Sequence, residues 1–266
     1  MTDFSYAGAD GYPLYATQVG AGGPPLVLLH GGGPDHHSLL PLAGLLADRH
    51  TVILPDVRGY GRSVCADPAL HTWAQYTSDV ISLLDHLHLA TAALGGTGLG
   101  STVTLRAARD HPDRIRAAIA ISVENIEEDE AAKRAETAFL DTFAATVRND
   151  GIEAAWAPIL PAFPPVIGTM VRDAIPRSDP DSIAAAAAIG HDSPFGSVDD
   201  LASVPVPTLV VPGADARHPT QLAERVVRVM PNARLAAVSL SADLRTADDL
   251  AAAIAPAVRE FLDAVS

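Results

Sequence analysis

Short apolar runs alternate with amphipathic stretches along most of this chain of 266 residues. The runs predict buried strands, and the stretches between them predict helices. The predicted strands are 25–30, 51–56, 91–95, 115–121, 207–213 and 233–240. The predicted helices lie near 38–47, 72–88, 99–110, 219–230 and 247–263. Such alternation is typical of βαβ units. We therefore predict an α/β protein with a mostly parallel central sheet flanked by helices, whose strands end at one edge where ligands bind.

The alternation stops between Glu124 and roughly Val204, where the sequence is helical in pattern or rich in proline. We predict a core formed by 1–123 and 205–266, with a helical cap over 124–204. Within the cap, Phe139, Phe143 and Val147 recur at helical spacing, which predicts that they pack the cap onto the core. The alternative is that one or two of them line a ligand pocket.

Charge and cysteine content exclude several classes of partner. The net charge is −14, which disfavours nucleic acid and anionic membrane surfaces. The single cysteine, Cys65, permits no intramolecular disulfide and no cysteine metal cluster, so a reducing cytoplasm is the expected compartment. We expect neither a leader nor a membrane span, because no basic leader and no run of about 18 apolar residues occurs. The expected partner is a small molecule, with no cofactor and no metal; a homodimer stays open.

Five motifs occur in a fixed order between and after the predicted strands. They are "HGGGP" (30–34), "DVRGYGRS" (56–63), "GTGLGST" (96–102), "HPDRI" (111–115) and "VPVPTLVVPGAD" (204–215). In this order the chain resembles the α/β-hydrolase fold, and most closely its branch of proline iminopeptidases and related small-ester, lactone and carbon–carbon bond hydrolases. The resemblance implies the α/β-hydrolase fold over nearly the whole chain, with "HGGGP" after the third strand and a helical cap at the insertion.

The resemblance also implies a nucleophile elbow, G-x-S-x-G, at the turn from strand to helix. Gly96 and Gly100 match its glycines, so Gly98 occupies the position of the nucleophile. Glycine tolerates the strained backbone of this turn, so the turn persists without the hydroxyl. A competing interpretation is a dinucleotide-binding turn, but Ser101 stands where the third glycine of G-x-G-x-x-G belongs, and the element follows the fifth strand instead of opening the sheet.

The other two members of a hydrolase triad are also replaced at the positions that the resemblance implies. The acid position is Ala216, with Asp215 one residue earlier as the alternative. The histidine is expected after the last strand, but "SLSADLRTADD" contains none; Asp243 stands near that place, and the last histidine of the chain is His218. A single loss would fit an engineered variant. Losses at separate places indicate a natural protein that does not form an acyl-enzyme in the usual way.

Backbone amides do not depend on which side chains occupy the triad positions. The resemblance implies an oxyanion hole from the amides of Leu99 and Gly32, with Thr97 and Ser38 as further candidate substrate-binding residues. A relocated nucleophile at Thr97 or Ser101 is an alternative, although Thr97 is expected to point away from the cleft and Ser101 to have an ordinary role in the first helical turn.

Histidines are the natural candidates for proton transfer. His36 and His37 follow the "HGGGP" turn and are ranked first, against the alternative of exposed loop histidines; His191, beside Asp192, is a candidate from the cap. The resemblance implies that His30 supports the turn. Asp56 and Arg58 are expected to form a structural pair.

Three hypotheses follow. The first is a non-hydrolytic enzyme, such as a lyase, cyclase, isomerase or decarboxylase, acting on a small, mostly apolar carbonyl compound. The second is a ligand-binding protein without catalysis. The third is a hydrolase with a relocated nucleophile or a directly activated water.

Overall fold

The computed structural model describes residues 1–124, 126 and 129–265. Within them eight strands form one sheet in the order β1-β2-β4-β3-β5-β6-β7-β8. Strands β1 and β2 are antiparallel to each other, β2 is antiparallel to β4, and the remaining pairs are parallel. The strands are β1 (Thr2–Ala7), β2 (Pro13–Val19), β3 (Pro25–Leu29), β4 (Thr51–Pro55), β5 (Ala92–Thr97), β6 (Ile115–Ile121), β7 (Thr208–Val211) and β8 (Ala233–Leu235).

Helices cover both faces of the sheet. The apolar cluster on one face includes residues of α1 and α9, and the cluster on the other includes residues of α2, α3 and α8. The helices are α1 (Leu40–Leu46), α2 (Trp73–His86), α3 (Leu99–Asp110), α4 (Glu130–Asp150), α5 (Ile152–Trp156), α6 (Pro165–Ala174), α7 (Pro180–Ala186), α8 (Thr220–Val229) and α9 (Ala247–Ala264). Side chains of Thr72, Asp129 and Thr246 accept hydrogen bonds from first-turn amides and so fix where α2, α4 and α9 begin.

The predicted fold class is confirmed, and β6 and α3 have the predicted bounds. The last strand is shorter than predicted and ends at Leu235, although the amides of Ala236 and Leu240 still donate to the carbonyls of Val210 and Pro212. The apolar-run pattern did not identify β1 and β2, which the resemblance implied. In β1 only Tyr6 is buried, so this edge strand has no continuous apolar run.

Between β6 and β7 the described residues form helices α4 to α7 and short 3-10 turns, with no strand among them. This agrees with a helical insertion, although 125, 127 and 128 of the predicted cap lie outside the described residues. The boundaries of core and cap stay a prediction. Phe143 and Val147 are buried and Phe139 is 37% exposed, and α4 packs mainly on α5 and α7 of the insertion. Phe139 and Phe143 line a cavity, which was the alternative interpretation of their spacing.

The loops after β3 and β4 are fixed by buried polar groups. His30 Nδ1 donates to the carbonyl of Gly31 at 2.8 Å, and its Nε2 accepts from the amide of Val57 at 2.9 Å, so it supports the turn as predicted. Asp56 and Arg58 are structural, but they do not pair with each other. Asp56 accepts from the amide and ring of His36 and from the amide of Arg62.

Arg58 is 1% exposed and donates to two carboxylates, those of Asp10 and Asp79, at 2.8 to 2.9 Å. This network joins the β1–β2 turn to α2 beneath the loop after β4. Among the described residues, no helix has the length and apolar character needed to cross a membrane.

We expect Arg58→Met to destabilise the protein by about 3–5 kcal/mol, because it leaves Asp79 buried without its cation. Urea unfolding at neutral pH measures the change. Arg49→Met is the matched control, since Arg49 and its partner Asp263 are both more than half exposed, and its loss should cost about 0–1 kcal/mol. Equal effects of the two substitutions would contradict the structural role of Arg58.

Candidate active site

The turn between β5 and α3 has the backbone of a sharp elbow around Gly98, with φ 51° and ψ −119°. Its flanking glycines allow close packing. A Cβ on Gly96 would lie 2.3 Å from the Gly100 carbonyl carbon, and one on Gly100 would lie 2.4 Å from the Leu29 oxygen. The predicted turn therefore forms, and it presents a bare backbone at the carboxyl edge of the sheet.

A cavity of about 120 Å³ lies over this elbow, between the strand ends and the helices of the insertion. Its wall is mostly apolar and includes Phe139, Phe143, Trp156, Phe163, Met170 and Leu240. The polar residues among the described ones that line it are Tyr60, Thr97, Ser122, Glu124, Arg217 and His218. The volume is on the scale of a cavity that holds a small ring compound. The polar residues lie near the elbow. One end of a bound molecule would therefore contact charged side chains, and the rest would contact apolar side chains.

Two charged side chains stand at the place where a nucleophile would be. A Cβ on Gly98 would lie 3.0 Å from Glu124 Oε1 and 3.6 Å from His218 Nε2. Glu124 comes from the end of β6, and His218 from the loop after β7, the next strand of the sheet. Their own contact, His218 Nε2 to Glu124 Oε2, is 3.4 Å. The elbow thus carries a carboxylate and an imidazole in place of a hydroxyl.

The pair is held by further ionic contacts. Asp215 accepts from His218 Nδ1 at 2.9 Å and from the backbone amides of Arg217 and His218. Arg217 Nε donates to Glu124 Oε2 at 2.6 Å, and its two Nη atoms donate to the carboxylate of Glu136 on α4. Asp215, the alternative acid considered above, therefore orients a histidine.

These contacts determine the charges of the pair. Burial by itself raises the pKa of Glu124, but Arg217 and the hydrogen bond from His218 lower it to about 2. Burial by itself lowers the pKa of His218, but hydrogen bonds to Asp215 and Glu124 raise it to about 9. At neutral pH the elbow therefore holds a carboxylate beside an imidazolium, which is a proton acceptor beside a proton donor.

The backbone groups implied by the resemblance lie beside the pair. Gly32 and Leu99 both line the cavity, and a Cβ on Gly32 would lie 4.0 Å from that of Leu99 and 3.7 Å from Tyr60 Oη. Burial raises the pKa of Tyr60, so its hydroxyl stays protonated and available as a donor. These groups together could hold an oxygen that gains negative charge.

The histidines proposed from the sequence do not lie at the elbow. His36 is buried with its Nδ1 on Asp56, and His37 Nδ1 lies 3.2 Å from Asp35. His191 is exposed and contacts Asp141 instead of the neighbouring Asp192. None of the three is among the described residues that line the cavity. Each imidazole pairs with a nearby carboxylate, which draws it away from the cleft.

The hydroxyl residues proposed from the sequence differ in where they lie. Thr97 is among the residues that line the cavity. Ser101 Oγ donates to the Gly98 carbonyl at 2.7 Å, which is the ordinary role in the first helical turn, and Ser38 Oγ donates to the Asp35 carbonyl outside the lining.

Ala216 and Asp243 are exposed and do not line the cavity. The segment after β8, where a triad histidine was expected, contributes Leu240 to the wall. A histidine nevertheless reaches the elbow from the loop after β7, which is a different place from the one that the resemblance implied. The signal that would have found it is position: Glu124 and His218 both follow parallel strands at their carboxyl ends.

Among the described residues, Asp35, His36 and His37 bring atoms of metal-ligand type within 4.8 Å of one another. However, Asp35 already pairs with Arg177 at 2.6 Å, and His36 Nδ1 pairs with Asp56. A guanidinium on the shared carboxylate disfavours a further cation, so these residues do not fit a metal site.

The charge of His218 predicts how stability depends on pH. Because its pKa is raised to about 9 from 6.5, its stabilising contribution is complete below pH 6.5 and is lost as the pH rises through 9. We expect the unfolding free energies of the native protein and His218→Gln to converge by on the order of 3 kcal/mol over this window. Urea unfolding across the pH range measures it, with the exposed His191→Gln as control; a constant difference would contradict the assigned charge.

The space around Gly98 predicts the result of restoring a serine. In Gly98→Ser the new Cβ is crowded by Glu124 at 3.0 Å, so we expect no labelling by a fluorophosphonate in intact-mass measurements. Adding Glu124→Ala removes the obstruction and leaves the new hydroxyl near His218, which Asp215 orients, so labelling should appear. A third change, His218→Gln, should abolish it. Equal labelling of the single and double variants would contradict this geometry.

Comparisons with known proteins agree with the fold. The family model described as the α/β-hydrolase fold matches residues 24–155. An epoxide hydrolase from Caballeronia sordidicola is 38% identical over 117 residues, which is 43% of this chain and 35% of that protein. The chain matches about a third of the length of the first such relatives.

Two solved structures are similar over nearly the whole chain. A thermophilic esterase from Thermogutta terrifontis has a TM-score of 0.83 and 24% identity, covering 100% of this chain and 99% of that one. A bottromycin epimerase solved with bottromycin A2 has a TM-score of 0.74 and 22% identity, covering 100% of both chains. The elbow, the mostly parallel sheet and these matches show that the chain has the α/β-hydrolase fold.

Proposed function

We propose that this protein is a non-hydrolytic enzyme that moves a proton at the carbon beside a carbonyl group of a small, mostly apolar compound. The observation that carries the proposal is the ionised pair at the elbow, with Glu124 Oε1 3.0 Å and His218 Nε2 3.6 Å from the Cβ position of Gly98. A hydrolase of the usual kind needs a nucleophilic hydroxyl and a neutral base at this place. Here the histidine is protonated at neutral pH, so it serves as an acid.

The reaction follows from the two charges. Glu124 Oε1 accepts a proton from the substrate carbon, the C–H electron pair forms the enolate double bond, and the carbonyl π pair moves to oxygen. The backbone amides of Gly32 and Leu99, with the Tyr60 hydroxyl, stabilise that oxygen. His218 then donates a proton to another carbon of the enolate or to its oxygen. The contact between Glu124 and His218, 3.4 Å long, allows the proton to pass back and restore the pair.

The strength of the base restricts the substrate. Because the pKa of Glu124 is about 2, it is a weak base, and transfer is efficient only from a carbon acid of matching strength. A carbon between two carbonyl groups meets this requirement better than a simple ketone. The apolar wall favours an uncharged molecule, since a buried charge without a partner is unfavourable. The substrate class is therefore a small 1,3-dicarbonyl compound or an equally activated carbonyl compound.

The structural neighbours support the choice of reaction class. One is an epimerase, and epimerisation at a carbon beside a carbonyl group is a proton transfer of this kind. That neighbour is 22% identical, so it supports only the view that this fold can catalyse such a reaction. The residues of the present chain support the proposed mechanism.

A second candidate function rests on the same carboxylate. Glu124 stands where a nucleophile belongs, and one relative is an epoxide hydrolase. Attack of Glu124 on an epoxide carbon would open the ring and form an ester on the enzyme. His218 would then have to activate water, which its protonated state opposes. Intact-mass spectrometry after incubation with a small epoxide distinguishes the two, because an adduct on Glu124 would favour the second candidate.

The test of the first proposal is the keto–enol interconversion of small 2-substituted 1,3-dicarbonyl compounds, followed by enol absorbance and by deuterium incorporation. We expect the native protein to accelerate it above buffer and Glu124→Gln to lose about 10² or more of the rate. Glu153→Gln, an exposed change of the same kind on α5, should keep it. Undiminished turnover by Glu124→Gln would overturn the proposal, and so would binding without acceleration, which would indicate a ligand-binding protein.

A further inference from the structure

Arg217 bridges two parts of the protein. Its Nε donates to Glu124 at the end of β6, and its two Nη atoms donate to both oxygens of Glu136 on helix α4 of the insertion. Phe139, one turn further along α4, lies with its ring 5.4 Å from the Arg217 guanidinium. Helix α4 therefore holds this arginine twice, through a bidentate ion pair and through an aromatic face.

The bridge limits the freedom of Glu124. A guanidinium is planar, so fixing its two Nη atoms on Glu136 also fixes the direction of its Nε–H. That N–H is the 2.6 Å donor to Glu124 Oε2, the oxygen that also contacts His218. The other oxygen, Oε1, is thereby left on the side of Gly98. A shift of α4 would turn the guanidinium and with it the carboxylate.

The bridge also sets the charge balance of the pair. The described charged groups packed around His218 are Asp215 and Arg217 on its own loop, Glu124 at the end of β6 and, through Arg217, Glu136 on α4. Glu136 compensates the guanidinium charge. Without it, Arg217 would act more fully on Glu124 and would repel a protonated His218.

We propose that Glu136 is a positioning residue that, through Arg217, couples the seating of cap helix α4 to the geometry and protonation of the Glu124–His218 pair. The proposal rests on the function proposed above, since it assigns the pair a catalytic role. The active arrangement then forms only when α4 lies over the cavity. When α4 is displaced, Arg217 and protonated His218 both contact Glu124 without the compensating charge of Glu136. His218 then loses its proton while Glu124 stays ionised.

The experiment titrates the imidazole directly, without substrate. Protein with ¹⁵N-labelled histidine is followed by NMR against pH, and the His218 signals are assigned by their loss in His218→Gln. We expect Glu136→Gln to lower the His218 midpoint by on the order of half a pH unit or more, because a compensating carboxylate is removed. Glu136→Asp keeps the charge and should retain most of the native midpoint.

Glu130→Gln is the matched control, since it makes the same change on α4 at an exposed carboxylate that pairs with Lys133. An unchanged His218 midpoint in Glu136→Gln would overturn the proposal, and so would an equal shift in Glu130→Gln. Because the titration needs no substrate, it can fail while turnover by the native protein persists, and it can succeed where the turnover assay fails. Once turnover is measured, the pH–rate profile of Glu136→Gln should shift in the same direction as the midpoint.

Discussion

The buried carboxylate of Glu124 is the constraint around which the site is arranged. A charge removed from water is strongly unfavourable unless cations and hydrogen-bond donors replace the lost solvation. Arg217 and His218 provide that replacement, and each is held in turn by a further carboxylate, Glu136 for the arginine and Asp215 for the histidine. The network extends from the end of β6 through the loop after β7 to helix α4. Its members therefore fix one another's positions and charges.

The glycine at the elbow fits this arrangement. A serine Cβ at position 98 would stand 3.0 Å from Glu124 Oε1, so the carboxylate fills the place in which a nucleophilic side chain would project. The backbone of the elbow, with its positive φ and closely packed flanking glycines, is still formed. Fold and chemistry are thus separable here. The turn that presents a reactive group is determined by packing, whereas the identity of that group is not.

Sequence reasoning was most successful where the signal is local. The bounds of β6 and α3 follow from the apolar periodicity of short stretches. The elbow at Gly98 and the turn-supporting role of His30 follow from the resemblance that the glycine motifs carry. Sequence reasoning did not predict where His36, His37 and His191 lie, because the ring of each contacts a nearby carboxylate. Asp56, the partner of His36, was expected to pair with Arg58. Asp35 and Asp141, the partners of His37 and His191, were not considered. Side-chain direction in a loop depends on such competition, which spacing along the chain does not reveal.

Glu124 and His218 were present in the sequence but were assigned differently. Glu124 marks the beginning of the insertion, and His218 was noted only as the last histidine, because the resemblance directed attention to the segment after β8. Their meeting depends on the adjacency of β6 and β7 in the sheet, with a helical insertion of the chain between them. No pattern within either segment encodes that contact.

The sequence by itself determined the class of fold, the sharp glycine turn at the carboxyl edge of the sheet and the helical character of the insertion, since these depend on residue periodicity and backbone freedom over a few positions. Only the tertiary structure decided which groups face the cavity and which of them are charged. Both properties depend on burial and on partners distant in sequence, and these come together only when the strands align and α4 closes over their ends.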